Sequence, residues 1–270
     1  MPEGDTVHRW AAQLHAALAG RELRRVEIRR DPRGVRPPPP GTRVTEVVAR
    51  GKHLLVRFDD GATLHTHMQL HGIWHVYRPH ARWRRPVHTA RVVLEVDDGT
   101  TAVCFNAPIV ELRRDAARPG TSRALRSLEQ LGPDLCGAEA DVDRVLERLH
   151  DVPADAPIGA VLLDQRVAAG IGNVFKSEIC WARRVHPSTP VGALSEAERR
   201  DIYETAHAQL YANLGGGRRV TYLGDLAVYG KVRRPCPRCR TPIMRAWEGD
   251  DARVTYWCPS CQPLAVLDPP

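Results

Sequence analysis

Two cysteine pairs near the C-terminal end, Cys236 with Cys239 and Cys258 with Cys261, are spaced C-x2-C-x18-C-x2-C. Each pair fits a tight knuckle that delivers two thiolates, and two knuckles complete a tetrahedral zinc site. Four thiolates leave no open position, so the expected metal is structural, one zinc per chain. The competing reading is a set of reactive dithiols, but no thioredoxin-like strand and helix flank them. Arg233, Arg234, Arg238, Arg240, Arg245 and Arg253 surround the knuckles, which places this segment on a phosphate backbone. The other cysteines, Cys104, Cys136 and Cys180, sit in apolar stretches and read as small buried hydrophobes.

The chain has 270 residues, enough for two domains with real cores. No apolar run reaches the length of a membrane span, and the N-terminus lacks a basic-then-apolar secretion signal. A cytoplasmic protein without a disulfide framework is therefore expected. A net charge of +7 favours a polyanionic partner such as nucleic acid, although an acidic membrane surface fits too. Only Lys52, Lys176 and Lys231 are lysines; the other 36 of the 39 basic residues are arginines, as a GC-rich genome would produce. That scarcity singles out each lysine as a titratable amine.

From Leu23 to about Leu112 the pattern is short and alternating, with strands expected at 43–48, 53–58, 62–67, 91–96 and 101–105. Asp59-Asp60-Gly61 and Asp97-Asp98-Gly99 separate two pairs of them as hairpin turns. This reads as a β-sandwich or barrel. Before it, Thr6 to Leu18 has helical spacing, with Val7, Trp10, Ala11, Leu14 and Leu18 on one face. Residues 113–126 turn polar and contain Pro119 and Gly120, as a linker would. Helices are expected beyond it at 142–149, 159–164, 173–184 and 196–214. The last opens on a Ser195/Glu198 capping box and stops at Gly215-Gly216-Gly217. Short strands are expected over 220–232 and from Pro235 onward.

Chemistry concentrates at two further places. With Met1 removed, Pro2 presents a secondary amine, which can attack a sugar C1′ and form an iminium that acts as an electron sink. A helix following Glu3 would hold that amine in place. Leu162 to Pro187 reads as two helices joined by Gly170-Ile171-Gly172-Asn173, whose backbone N–H groups and Asn173 amide offer a phosphate site. Asn173 also suits a simple N-cap. His65, His67, His71 and His75 suggest a second metal only weakly, because alternation puts them on a strand and turn. Arg78 to His88, with Arg82, Arg84 and Arg85 around Trp83, reads equally as a DNA contact and as a solvated basic loop.

Pro2-Glu3-Gly4, Gly51-Lys52-His53-Leu54-Leu55, the helix-two-turns-helix run and the cysteine knuckle together resemble the formamidopyrimidine-DNA glycosylase and endonuclease VIII family, in the family's order and over nearly the whole chain. The resemblance implies a multi-domain α+β protein with an N-terminal β-sandwich and flanking helices (1–120), a helical helix-two-turns-helix domain (127–217) and a C-terminal zinc finger (226–263). It implies damaged double-stranded DNA, carrying an oxidised base or an abasic site, in the cleft between the halves. Pro2 would be the Schiff-base nucleophile and Glu3 the acid/base at the sugar ring oxygen. Lys52 would assist β-elimination, Arg253 would grip phosphate and serve δ-elimination, and Asn173 would bind phosphate.

Within the family, His67 to Gly72 resembles the endonuclease VIII loop whose wedge fills the gap left by a flipped nucleotide. Gln69, Leu70 and His71 would be its DNA-contacting residues, with His71 in place of a tyrosine. Phe105 to Glu111 lacks the Arg and Phe that the formamidopyrimidine branch inserts opposite the lesion. Asp5-Thr6 replaces the usual Pro-Glu, Gln130 stands where a phosphate-binding arginine is usual with Arg126 one helical turn away, and residues 217–229 are too few for a long lesion-capping loop. The expectation is a monomeric, nucleoid-associated bacterial glycosylase and AP lyase acting on oxidised pyrimidines, with no small-molecule cofactor. A purine-directed glycosylase and a non-catalytic zinc-finger binder of damaged DNA are the alternatives.

Overall fold

A computed structural model describes residues 2–29, 36–114, 128–248 and 253–265. Two compact units divide between residues 129 and 130. The first opens with α1 (Gly4–Leu18), followed by β1 (Leu23–Ile28), β2 (Val44–Arg50), β3 (His53–Phe58), β4 (Ala62–His67), β5 (Ile73–Tyr77), β6 (Ala90–Val96), β7 (Thr101–Phe105) and β8 (Ile109–Arg114). They form two four-stranded antiparallel sheets, in the orders β2-β3-β4-β8 and β1-β6-β7-β5. The sandwich reading therefore holds over the barrel.

Alternation explains which side chains fill it. Leu54, Val56 and Phe58 of β3 face inward with Leu64, Val92, Leu94 and Leu112, while His53, Leu55 and Arg57 take the opposite face of the pleat. Val7, Ala11, Leu14 and Leu18 of α1 join the same core, so the helix is bound to the sandwich along one stripe. Both Asp-Asp-Gly turns form through an aspartate that accepts a backbone N–H two residues on: Ala62 N to Asp60 Oδ1 at 3.0 Å and Thr100 N to Asp98 Oδ1 at 2.8 Å. Strands β1, β5 and β8 lie outside the five stretches expected from alternation. β5 is short and follows a tight loop, and β8 ends on Arg113 and Arg114, which polar composition assigns to the linker.

In the second unit, α2 (Val142–Leu149), α3 (Ile158–Leu163), α4 (Asn173–Ala182) and α5 (Glu196–Ala212) precede the antiparallel hairpin β9 (Met244–Glu248) and β10 (Arg253–Trp257). The capping box at Ser195 and Glu198 is present, with Glu198 N donating to Ser195 Oγ and Ser195 N to Glu198 Oε2. Helix α5 stops at Ala212 rather than Leu214, because the Asn213 side chain pairs with both backbone groups of Val220, at 2.8 and 2.9 Å. Helix α4 likewise stops at Ala182: Arg238 donates to the carbonyls of Trp181 and Ala182, at 2.6 and 2.9 Å, and stacks its guanidinium 3.8 Å from the Trp181 ring. No helix of the described residues is long and apolar enough to cross a membrane.

Residues 220–232 are not a strand, contrary to the alternation expected there. Only a Tyr222–Asp225 bridge forms, and the backbone N–H groups of Ala227, Val228 and Tyr229 donate to the buried Glu178 carboxylate at 2.6, 2.9 and 2.7 Å. The Thr221 hydroxyl donates to it as well. A side-chain acceptor thus takes the donors that a neighbouring strand would need. Glu178→Ala would leave three backbone donors without their acceptor. At about 1–3 kcal/mol for each unsatisfied buried group, a loss of roughly 3 kcal/mol or more is expected in urea denaturation, whereas an exposed control such as Glu147→Ala should change stability by less than about 0.5 kcal/mol.

Candidate active site

Pro2 leads straight into α1. Glu3 is the helix N-cap in extended conformation (φ −118°, ψ −175°), and its carbonyl accepts from Thr6 N and Val7 N at 3.0 and 3.1 Å. Because the helix is held by its buried stripe, Pro2 is set at a defined place rather than on a loose tail. Glu3 and Asp5 are both buried at this N-terminus, where the helix dipole favours negative charge. Asp5 Oδ1 accepts from Thr6 Oγ1 at 3.2 Å. A buried carboxylate is therefore present in the first turn even though Thr6 is not acidic.

Lys52 follows Gly51, whose φ of +57° makes the tight turn from β2 into β3. Immediately beside it, His53 pairs in register with His67 across β3 and β4. His53 Nδ1 lies 2.9 Å from His65 Nε2, and its ring centroid is 4.8 Å from that of His67. His65 Nδ1 in turn lies 3.7 Å from Glu111 Oε2 on β8. Burial, with the neighbouring imidazoles and Lys52, pushes His53 down to about 3 and His67 down to about 4. His71 stands exposed in the next loop and His75 lies on the other sheet, so the four histidines spaced along 65–75 do not gather into one metal site.

That loop has a built shape. Met68 is buried and anchors it, Gly72 N donates to Met68 O at 2.9 Å, and Gln69 adopts a left-handed φ of +44°. A Cβ at Gly72 would lie 2.8 Å from Met68 Cα, so only glycine closes the turn. Gln69, Leu70 and His71 are thereby presented to solvent, Leu70 at 60% exposure. An exposed leucine on a constrained loop is the shape an intercalating wedge needs.

In the second unit, the turn between α3 and α4 is organised by Gln165, which the sequence reading missed. Its amide accepts from Gly170 N at 3.1 Å and donates to Leu163 O and Ile171 O at 2.9 and 3.0 Å. Gly172 is the N-cap of α4 and Asn173 its first residue, so Asn173 is not the cap. Asn173 Nδ2 donates to Val254 O at 2.7 Å, Lys176 Nζ donates to Thr255 Oγ1, and Tyr256 N donates to Ser177 Oγ at 3.4 Å. The helix N-terminus is thus tied to β10, whose first residue is the exposed Arg253. Of the arginines around the cysteines, Arg238 serves α4 rather than solvent. Gln130 is exposed, whereas Arg126, Pro119 and Gly120 lie outside the described residues.

The Sγ atoms of Cys236, Cys239, Cys258 and Cys261 all lie within 4.8 Å of one another, with Cys239 to Cys258 at 3.4 Å and Cys236 to Cys261 at 3.9 Å. Ligands about 2.3 Å from one tetrahedral ion would be separated by about 3.8 Å, so the four thiols fit a single metal. Hydrogen bonds from Thr241 draw Cys239 down to about 6, whereas burial and the adjacent thiols push Cys261 up to about 12. Thiols this close do not all ionise without a cation among them. Cys104, Cys136 and Cys180 are buried, as apolar residues would be.

Residues 1–108 match the formamidopyrimidine-DNA glycosylase N-terminal domain, and residues 131–221 match the H2TH domain of the same proteins. A probable endonuclease 8 2 of Streptomyces coelicolor is 44% identical, over 97% of this chain and 94% of its own. The chain belongs to the formamidopyrimidine-DNA glycosylase and endonuclease 8 family. A DNA-(apurinic or apyrimidinic site) lyase of Mycolicibacterium smegmatis is 38% identical over 97% of this chain and 99% of its own. Among solved structures, the family's fold recurs in Lactococcus lactis Fpg bound to abasic-site DNA, with a TM-score of 0.78 at 22% identity, covering 97% of this chain and all of that one. MutM of Thermus thermophilus superposes with a TM-score of 0.77 at 29% identity, over 98% of this chain and all of its own.

The histidines give this family member a pH signature. Groups held at about 3 and 4 in the fold return to about 6.5 when unfolded, so between those values the unfolded chain binds more protons and stability rises with pH. The urea midpoint of the first unit is therefore expected to fall as pH drops from about 6.5 toward 4. In the His53→Asn/His67→Asn variant the same pH titration should be flatter.

Proposed function

We propose that this protein is a bifunctional DNA glycosylase and AP lyase of base-excision repair that uses Pro2 as its nucleophile. The observation that carries the reading is the mounting of Pro2 and buried Glu3 at the start of a helix held in the sandwich core. With the lesion flipped out, the Pro2 nitrogen attacks C1′ while Glu3 protonates the ring oxygen O4′. The C1′–N bond breaks, and its electron pair leaves with the base, which takes up the Pro2 amine proton; the C1′–O4′ bond then breaks onto the oxygen that Glu3 protonates, and the Pro2 nitrogen lone pair closes the open-chain iminium. Loss of the C2′ proton into that electron sink expels the 3′ phosphate, with Lys52 at the sugar-phosphate assisting. A second elimination then expels the 5′ phosphate, with Arg253 on the phosphate. Water finally hydrolyses the iminium and frees Pro2.

Gln69, Leu70 and His71 fill the gap in the duplex, and Asn173 with the N-terminus of α4 holds a backbone phosphate. We assign the functional segments as a catalytic sandwich over 1–120, a helix-two-turns-helix segment over 127–217 and a zinc finger over 226–263. Residues 105–111 hold no arginine and their one phenylalanine, Phe105, is buried; together with Gln69-Leu70 this favours oxidised pyrimidines over oxidised purines. A DNA substrate of this kind places the enzyme with nucleoid DNA in the bacterial cytoplasm.

Borohydride trapping on duplex DNA with one abasic site tests the nucleophile. The native protein should give a covalent adduct, and a form retaining Met1, whose Pro2 nitrogen is acylated, should give none. Trapping unaffected by Met1 would overturn the mechanism. Glu3→Gln should slow base excision by about 10²–10⁴-fold, and matched duplexes carrying an oxidised pyrimidine or an oxidised purine should show the former cut faster.

The metal we assign to Cys236, Cys239, Cys258 and Cys261 is one zinc ion, which supplies a tetrahedral cross-link and no reactive position. Chelation should cost β9 and β10 their order and weaken DNA binding, with recovery on zinc return. Elemental analysis of fresh protein showing no zinc would overturn the assignment.

A further inference from the structure

Between β5 and β6, residues 78–89 carry Arg78, Arg82, Arg84 and Arg85, with no acidic residue among them. All four arginines are exposed, and among the described residues none meets a carboxylate. The contrast within the same unit is plain: Arg21, Arg25, Arg29, Arg43, Arg57 and Arg114 each face an Asp or Glu within 4 Å. Arg9, Arg24, Arg36, Arg50 and Arg91 of this unit also meet no carboxylate among the described residues, but they lie scattered along the chain, whereas four such arginines fall within eight consecutive positions on this loop.

Nor is this loop a loose solvated excursion. Trp83 is half-buried, stacked 6.4 Å from Tyr77 and edge-on 5.8 Å from Phe105, within a small apolar cluster of Ala90, Val93 and Val103. Arg84 N donates to the Tyr77 hydroxyl at 3.1 Å. The aromatic anchor therefore fixes the backbone between Arg82 and Arg84, so their guanidinium groups reach a partner with little backbone ordering cost. Strand β5, of 5 residues, joins this loop to the 68–72 loop, which puts about 17 Å between the two at about 3.3 Å per residue. That span equals about five nucleotides of duplex at about 3.4 Å per step.

We infer that the Trp83-anchored loop is a second DNA-backbone surface, whose Arg82, Arg84 and Arg85 grip phosphates about five nucleotides from the lesion. The inference rests on the lesion-wedge reading of Gln69, Leu70 and His71. It assigns the loop to duplex phosphate rather than to an acidic protein, because the arginines are spaced along a fixed backbone and the large apolar side chains exposed beside them are two valines, Val76 and Val87.

The test compares the native protein with the Arg82→Gln/Arg84→Gln/Arg85→Gln variant, Trp83 being kept. Duplexes have flanks of either three or ten base pairs and carry one abasic-site analogue for binding, followed against salt, or one true abasic site for borohydride trapping. On the long duplex the variant should bind roughly tenfold more weakly, with a salt slope reduced by about 2–3. On the short duplex the two proteins should bind alike and give equal borohydride adducts. Equal binding at both flank lengths would overturn the inference and leave the loop to an acidic partner. Loss on the short duplex as well would also overturn it, since the arginines would then act at the lesion itself. Failure of the native protein to form any adduct would count instead against the glycosylase and lyase reading.

Discussion

The Glu178 carboxylate has no exposed surface, yet four donors from residues 221–229 converge on it. A buried charge is tolerable only when its lone pairs are satisfied, and meeting that demand organises the second unit. Helix α4 carries Glu178 at its middle, and every residue from Asn173 to Trp181 is buried. Its N-terminus holds β10 through Asn173, Lys176 and Ser177, and its C-terminal turn holds the knuckle through Trp181, whose Nε1 lies 3.4 Å from Cys236 Sγ. The helix-two-turns-helix and the cysteine finger therefore share one spine, which explains why they form a single compact unit.

The first unit uses a different device. There α1 carries two buried carboxylates at its N-terminus and an apolar stripe along its length, so the stripe fixes the position of the chain's second residue. Nearby, the pairing of β3 and β4 stacks His53 on His65 and sets it beside His67, and burial there lowers the pKa of both His53 and His67. This pairing joins the Lys52 turn to the first residue before the 68–72 loop. The Lys52 turn and the 68–72 loop are thus carried on adjacent strand ends of one sheet.

Much of this was legible in the residues. Alternation located β3, β4 and β7 to the residue, because one face of each packs in the sandwich core. The Ser195/Glu198 box located the start of α5, because capping is satisfied within a few neighbours in sequence. By contrast, 220–232 looked like a strand and is not one, since its donors are claimed by a residue 43 or more positions away. Arg238 looked like a phosphate ligand and instead caps α4. Gln165 gave no signal at all, because a glutamine in a turn is ordinary until the three backbone groups it serves are brought around it.

The sequence by itself determined the chemistry available: a proline at position 2 that becomes a secondary amine once Met1 is removed, a carboxylate beside it, three lysines in all, and two cysteine pairs spaced for one tetrahedral ion. These follow from covalent order and local spacing, which need no tertiary contact. Only the tertiary structure decided which polar groups are withdrawn from solvent and which are left to a partner. It buried Glu3, Asp5 and Glu178, spent Arg238 on a helix end, stacked the histidines, and left Leu70 and four arginines facing outward. Burial and pairing depend on contacts between residues distant in sequence, and residue type alone does not specify them.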